Sequence, residues 1–204
     1  TGFKVSDRYY RATCGRDLEH PLNYPGRNIR DVRQAFGYCG AISTFTKTDD
    51  KAEYLSEAIT LSGANRGMCS GIFENEIGGR IAVDGLMPFA WAYALPRNQG
   101  IKNLLKWLSN DTLGAFIRSY HRVSVWQRGR GIFLANFEME KACGVRIAVL
   151  DAPERMSCIM LDGGKEFLTV ILTPSGTDGP YKLFDLPDMP VTGEILLFTG
   201  KDEI

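Results

Sequence analysis

The stretch Met156–Thr173, MSCIMLDGGKEFLTVILT, decides the fold of the C-terminal part of the chain. Two runs of apolar and β-branched residues flank Asp162-Gly163-Gly164, and this combination of aspartate and glycine is typical of tight hairpin turns. Strands joined by so short a connection must run antiparallel, because a parallel pair needs a crossover of a dozen residues or more. We therefore predict a hairpin here and an antiparallel sheet around it.

Further short apolar runs lie on both sides of this hairpin. The predicted strands are Ile132–Glu138, Val145–Asp151, Met156–Leu161, Glu166–Thr173, Lys182–Leu186 and Glu194–Thr199. Consecutive short strands with turns between them indicate an antiparallel sheet rather than strand–helix–strand crossovers. The sequence thus predicts an antiparallel β part over residues 123–204.

Helical signals mark the preceding part of the chain. Asn28–Cys39 has the spacing of a short capped helix. Asp50–Gly63 opens with a capping box, an aspartate followed three positions later by a glutamate, and closes on a glycine. Gln99–Arg122 repeats apolar residues at helical spacing, with Asn110 placed to cap a second helix. We predict helices over all of these ranges.

The remaining N-terminal segments predict less regular structure. The first 25 residues read as an irregular arm, and the glycine-rich Ser62–Gly71 reads as a loop. Ala41–Thr46 alternates like a strand, and Ile72–Val83 reads as a hairpin turning on Gly78-Gly79. The prediction is an α+β protein, one compact domain in which a helix-rich basic part (1–122) packs with a mostly antiparallel C-terminal sheet (123–204).

The formal net charge of zero hides an uneven distribution. Residues 138–204 carry twelve acidic and six basic side chains, so the other 137 residues carry twelve acidic and eighteen basic ones. No acid occurs between Asp111 and Glu138, an interval that holds four arginines and His121. Such asymmetry indicates either a polyanion partner or subunits that pack basic face against acidic face.

The segment Val123–Phe133, VSVWQRGRGIF, is the strongest candidate binding site. Arginine grips phosphate with a planar two-pronged donor set, glycine lets the backbone approach, and a tryptophan offers a face on which a base stacks. The predicted nucleic-acid-binding residues are Arg118, Arg122, Trp126, Arg128, Arg130, Arg66, Arg30 and Arg33. Arg118 and Arg122, four positions apart, would share one side of the predicted second helix. The alternative is a basic turn with Trp126 in the core.

Catalysis is the competing class of function. Nucleophilic chemistry would need a thiol beside a base, for which Cys14 with His20 or Cys69 with His121 are the available pairs. The carboxylate pairs of the kind that a metal-dependent nuclease uses are Glu74 with Glu76 and Asp162 with Glu166. Nucleotide-loop, nucleophile-elbow and zinc-ligand spacings are absent from the sequence, so we predict no metal, no cofactor and no catalytic residue.

The most apolar window gives the membrane prediction. Residues 81–95, IAVDGLMPFAWAYAL, are interrupted by Asp84, Gly85 and Pro88, and they fall short of the roughly 20 residues that cross a bilayer. The sequence therefore predicts no transmembrane segment and no signal peptide. Five cysteines without a paired spacing predict free thiols in an intracellular, reducing compartment.

Together these patterns favour one function over two others. We predict a non-enzymatic protein that binds RNA or single-stranded nucleic acid within an oligomeric assembly, for example of the nucleocapsid, coat or matrix type. The first alternative is a cysteine or serine hydrolase or a nuclease. The second is a purely structural protein that self-associates through its oppositely charged parts. Salt dependence separates them, because phosphate binding weakens steeply as salt rises.

Overall fold

The chain is mostly β-sheet. Its computed structural model describes residues 2–10, 13–23, 42–60, 62–85, 95–162 and 165–198, and in these ranges it has fifteen strands and one helix. The chain divides into two compact units, Thr1–Leu108 and Ser109–Ile204. The chain is mostly strand with one short helix in these ranges, so the predicted helix-rich α+β class is wrong. All three sheets are antiparallel.

The first unit contains a six-stranded sheet and the helix. Its elements are β1 (Phe3–Tyr10), β2 (Thr13–Asp17), β3 (Ile42–Lys47), β4 (Glu53–Thr60), β5 (Asn65–Glu74), β6 (Arg80–Asp84) and α1 (Leu95–Leu108). The strand order is β1-β3-β5-β4-β2, and β6 pairs with β5. Adjacent residues of β5 serve opposite faces: Ile72 packs with Leu104 of α1, and Phe73 packs with Phe3 and Phe45.

The second unit has two sheets around one core. Its strands are β7 (Ala115–Ile117), β8 (Val123–Arg128), β9 (Gly131–Asn136), β10 (Arg146–Leu150), β11 (Met156–Asp162), β12 (Lys165–Leu172), β13 (Gly176–Asp178), β14 (Tyr181–Asp185) and β15 (Glu194–Phe198). The four-stranded sheet has the order β13-β14-β10-β7, and the five-stranded sheet has the order β12-β11-β15-β9-β8.

Alternation along the strands builds this core. Ile132 and Leu134 of β9 are fully buried, as are Ile195 and Leu197 of β15, and they join Ile147 of β10 in one hydrophobic cluster. Each fully buried side chain of this size stabilises the fold by roughly 1.5–3 kcal/mol. The intervening residues of β9 and β15 therefore lie on the outer face of the five-stranded sheet.

The predicted helix Asp50–Gly63 is wrong because this segment contains β4, an interior strand. Five consecutive residues, Leu55–Ile59, are buried, so both faces of the strand are covered. A strand buried on both faces loses the polar–apolar alternation that identifies a strand in a sequence. The carboxylate of Asp49, not a helix cap at Asp50, organises the preceding turn by accepting a hydrogen bond from the Lys51 amide.

The predicted helical region Gln99–Arg122 is half right. Its first part belongs to α1, but the expected cap at Asn110 ends the helix instead of restarting it. Asn110 and Asp111 have φ values of 54° and 58°, left-handed angles that a right-handed helix cannot continue. The chain then enters β7, which pairs with β10, so Arg118 and Arg122 do not share a helical face.

Two irregular predictions for the first unit also fail. Ser62–Gly71 lies largely in β5, where Gly71 faces the Phe3 ring so closely that a Cβ would clash with it. The first 25 residues contain β1 and β2. Asn28–Cys39 lies outside the described residues.

Several predicted strands and turns are confirmed. Ala41–Thr46 overlaps β3, and β5 and β6 form the hairpin predicted at Gly78-Gly79, with φ of 80° at Gly78. β11 and β12 pair as far as Asp162 with Lys165, which confirms the hairpin that decides the C-terminal fold. The six strands predicted after residue 131 correspond to β9, β10, β11, β12, β14 and β15.

Candidate nucleic-acid interface

The outer face of the five-stranded sheet carries a row of residues that crosses all five strands and is apolar on four of them. Strand register places Trp126, Phe133, Leu196, Ile159 and Thr169 side by side from β8 to β12. The first four are large and apolar, and the last is exposed. An antiparallel sheet with one face packed usually carries polar residues on the other face, so this row is unusual.

Three aromatic side chains cluster at the β8 end of this row, and we name them the aromatic platform: Trp126, Phe133 and Phe137. Trp126 is 50% exposed, so it lies on the surface and not in the core. Its ring centroid is 5.5 Å from that of Phe133 at a tilt of 39°, and 6.2 Å from that of Phe137 at 86°. Phe137 is 69% exposed. These contacts orient the platform while leaving aromatic surface open to a ligand.

The basic hairpin lies one step along the strands from the platform. Arg128 pairs with Gly131, so Gly129 and Arg130 form a two-residue turn between β8 and β9. Gly129 has a φ of 58°, the angle that the first central position of a type II′ turn requires. Both arginines are exposed. Arg128 follows Trp126 by two residues, about 7 Å along a strand, so both side chains project from the outer face.

A third arginine lies at the same end of the sheet. Gly131 pairs with Phe198, and Phe198 pairs with Ser157 near the start of β11. Arg155 comes just before β11 and is exposed. We name Arg128, Arg130 and Arg155 the basic end of the sheet.

The opposite end of the outer face is acidic. Leu161 of β11 pairs with Glu194 of β15 on one side and with Glu166 of β12 on the other, so both glutamates lie on the outer face. Glu138 follows β9 at this end, with its Oε1 4.0 Å from Nε of Arg122. Arg122 precedes β8 and is therefore separated from Arg128 by the length of that strand, about 20 Å. The charge gradient favours phosphates at the basic end and disfavours them at the other.

The other predicted binding residues do not join this surface. Arg118 follows β7, and its Nε donates to Oδ2 of Asp178 at 2.8 Å, so an acid distant in sequence offsets its charge. Arg66 belongs to the first unit, on β5, and is exposed. Arg30 and Arg33 lie outside the described residues. Of the predicted set, the structure brings Trp126, Arg128 and Arg130 together.

A buried asparagine fixes the loop that carries Phe137. Asn136 is fully buried, and its Nδ2 donates to the carbonyl oxygens of Glu140 and Pro190, each at 2.9 Å. Its Oδ1 accepts a hydrogen bond from the Glu138 amide at 3.0 Å. The loop is therefore held by side-chain hydrogen bonds on both sides of Phe137, which positions the third ring of the platform.

The thiols of Cys69 and Cys158 and the His20 ring lie in surroundings typical of structural residues and not of a catalytic site. Cys69 is buried, with its sulfur 3.3 Å from Oγ of Ser56, and burial raises the pKa of Cys158 to about 12. Nδ1 of His20 accepts a hydrogen bond from the Leu22 amide, and Nε2 lies 3.1 Å from a Glu53 oxygen. Both nitrogens of that ring are thereby occupied. Cys158 belongs to the hydrophobic core of the second unit.

The carboxylate pair of the first unit considered for a nuclease, Glu74 and Glu76, lies beside basic side chains. Glu74 accepts from Nε of Arg80 at 2.8 Å, and Glu76 lies 3.9 Å from Nζ of Lys51. Within the described ranges, no group of three or more histidine, cysteine, aspartate or glutamate side chains is arranged to hold a metal ion.

Phe133, Phe137 and Arg155 are the residues of this surface that sequence reasoning missed. Phe133 lies between buried Ile132 and Leu134 on β9, which places it on the face opposite the core, and Phe137 follows the end of that strand. Arg155 has no comparable signal, because only the pairing of β11 with β15 places it near the hairpin.

Comparison with known proteins adds no relative. A scan against models of protein families finds no match to this chain, and a search of curated proteins finds none either. In the described part of the chain, no helix has both the length and the apolar character needed to cross a membrane.

Proposed function

We propose that the second unit binds single-stranded nucleic acid across the outer face of its five-stranded sheet. The observation that carries the proposal is a half-exposed Trp126, packed on Phe133 and two residues from Arg128 at an exposed arginine hairpin. Aromatic rings on a sheet face provide a surface on which unpaired bases stack, and arginines beside them neutralise phosphates.

The charge gradient supports one orientation of the strand. The phosphates would lie along the basic end of the sheet, from Arg130 to Arg155. The bases would extend from there, parallel to the β-strands, and stack on the aromatic platform. The separation of about 7 Å between Trp126 and Arg128 along β8 allows a base and its phosphate to be engaged together. The strand would then cross the sheet roughly perpendicular to the β-strands, away from Glu194 and Glu166.

The proposal requires unpaired bases. In a duplex the base faces are covered by their neighbours, so stacking on Trp126 would require disruption of the helix. No reaction is part of the proposal, and assembly of a nucleocapsid, coat or matrix type stays a prediction that depends on self-association. A reducing compartment is part of the same proposal, supported by the free thiols of Cys69, Cys143 and Cys158.

Fluorescence anisotropy with a labelled single-stranded RNA, at low and at physiological salt, tests this proposal. We expect salt-sensitive binding that Arg128→Ala/Arg130→Ala weakens at least tenfold, since two charged phosphate contacts are lost. The charge-matched control is Lys141→Ala/Lys165→Ala, which removes two exposed positive charges away from the basic end. It should weaken binding much less.

Two results would contradict the proposal. One is an equal loss of affinity in the control variant, which would mean that total charge alone attracts the RNA. The other is equal competition by unlabelled duplex, which would show that the bases are not engaged. Failure of the wild-type protein to bind at low salt would remove the proposed function altogether.

A further inference from the structure

A second surface of the five-stranded sheet, the free edge of β12, has the properties of a pairing site. β12 is the last strand of that sheet on the side away from β8 within the described ranges, and β11 is its only partner there. An edge strand presents backbone donors and acceptors that can pair with another strand, and proteins usually protect such edges with charges, proline or a bulge.

Protection is confined to one end of β12. Its only charges are Lys165 and Glu166, and the register shift between Met160 and Leu161 lies beside them. The following segment, Leu168–Leu172, is regular, uncharged and free of proline. We name this segment the β12 edge. Two of its apolar side chains are substantially exposed, Leu168 at 38% and Ile171 at 49%.

The other free edges of this unit are built differently. β13 and β7 have three residues each, which is too short for an extended ladder. β8 ends on Arg128 and belongs to the basic hairpin. Among the described strands of the unit, the uncharged run of β8, Val123–Gln127, is as long as the β12 edge but leads into Arg128, so the β12 edge is the uncharged edge away from the basic hairpin.

We propose that the β12 edge pairs antiparallel with the β12 edge of a second copy of this chain, about a two-fold axis at Val170. Residues opposite each other in an antiparallel pair share a face, so the axis must bring inner-face positions against inner-face positions. At Val170 it does so: Leu168 meets Leu172 of the other copy, and Val170 meets its own counterpart. Thr169 meets Ile171 on the outer face.

Charge and symmetry both favour a second copy as the occupant. A two-fold axis makes one edge complementary to itself, and closed two-fold dimers are the commonest protein assemblies. The β12 edge is neutral, and the charges at Lys165 and Glu166 lie at opposite ends of the joined ladder. No like charges face each other there. Leu168 is covered in the dimer. The two five-stranded sheets join into one ten-stranded sheet with a continuous apolar inner face.

The dimer goes beyond the proposed function and does not depend on it. The axis is perpendicular to the sheet, so both outer faces point the same way, with the two aromatic platforms at the far ends of one surface. If nucleic acid binds there, each dimer offers two sites, and a strand long enough to reach both binds more tightly than to one.

Analytical ultracentrifugation of the full chain without nucleic acid tests the dimer. We expect a species of twice the 22.7 kDa chain mass that dissociates on dilution. Two double variants differ only in the sign of one charge. Thr169→Lys/Ile171→Lys places like charges opposite each other in both symmetric pairs and should raise the dimer dissociation constant about tenfold or more.

Thr169→Lys/Ile171→Glu is the matched control, because here each introduced lysine faces the introduced glutamate of the other copy. It should keep the dimer at least as tight as the wild type. Circular dichroism confirms that both variants fold. The proposal is overturned if the wild-type protein is monomeric at the highest concentration at which it stays soluble. It is also overturned if both variants weaken dimerisation equally. RNA binding by a monomeric variant would leave the proposed function standing, so the two failures are distinguishable.

Discussion

Truncation of Trp126 is the most informative perturbation of the aromatic platform. Its ring contacts those of Phe133 and Phe137, and half of its surface is exposed, so a ligand can use only the exposed part of the ring. Stacking of a base on an aromatic side chain contributes about 1–3 kcal/mol. With half of the side chain exposed we expect Trp126→Ala to cost about 1–2 kcal/mol, which is roughly a 5- to 30-fold loss of affinity.

The salt dependence should distinguish this loss from that of a phosphate contact. Trp126 carries no charge, so Trp126→Ala should leave the slope of log K against log salt unchanged. Arg128→Ala should reduce the magnitude of that slope by about 0.7, the contribution of one phosphate on a single strand. The assay is anisotropy of a labelled single-stranded RNA over a series of salt concentrations, with urea unfolding to verify that each variant folds.

Trp126→Phe is the control, because it keeps an aromatic face and should retain most of the affinity. The reasoning fails if Trp126→Ala binds like the wild type, since no base then stacks on the ring. It also fails if Trp126→Ala changes the salt slope as much as Arg128→Ala does. That result would mean that the tryptophan only holds the hairpin in place.

Three further predictions concern the rest of the second unit. Asn136→Ala should lower the free energy of unfolding in urea by about 2–4 kcal/mol, because it leaves three loop groups without their side-chain partner; a loss under 1 kcal/mol would contradict this. Arg146 makes a two-pronged ion pair with Asp185, and this pair lowers the pKa of the Asp185 carboxyl. The pair therefore stabilises the fold at pH values above the ordinary carboxyl pKa of 3.8, and this stabilisation is lost as pH falls through the lowered pKa. Arg146→Ala should therefore lower the melting temperature slightly at neutral pH and not at all in strong acid; an equal effect at both would refute the linkage. In the folded protein an alkylating reagent should modify exposed Cys143 and spare Cys158, with mass spectrometry after proteolysis as the measurement; rapid labelling of Cys158 would contradict its burial.

The sequence predicted the strands of the second unit well and those of the first unit poorly, because a sequence reveals a strand only through local signals. Short apolar runs between turn residues are a local strand signal, and β9 and β15 show that signal directly. β4 is buried on both faces, including its polar Ser56 and Glu57, so it lacks strand alternation, and the spacing of its apolar residues also suits a helix. β5 contains two glycines that suggest a loop, whereas Gly71 is needed because Phe3 packs against its backbone. Such contacts between distant residues leave no local signal.

The candidate site divides in the same way. Trp126, Arg128 and Arg130 are neighbours in the sequence, so local spacing was enough to select them, and the glycine between the arginines indicated the turn. The pairing of Arg118 with Asp178 joins residues sixty positions apart and could not be read from either segment.

By itself, the sequence determined the C-terminal strands and their turns, because a hairpin turn and a short apolar run between turns are local patterns. It also determined the arginine pair beside a tryptophan, which is a matter of adjacency. Only the tertiary structure decided which face each strand buries and which strands lie side by side. That arrangement turned Phe133, Phe137 and Arg155 into neighbours of the hairpin and left β12 at an edge. Long-range pairing is set by the complementarity of whole faces, and no short segment contains that information.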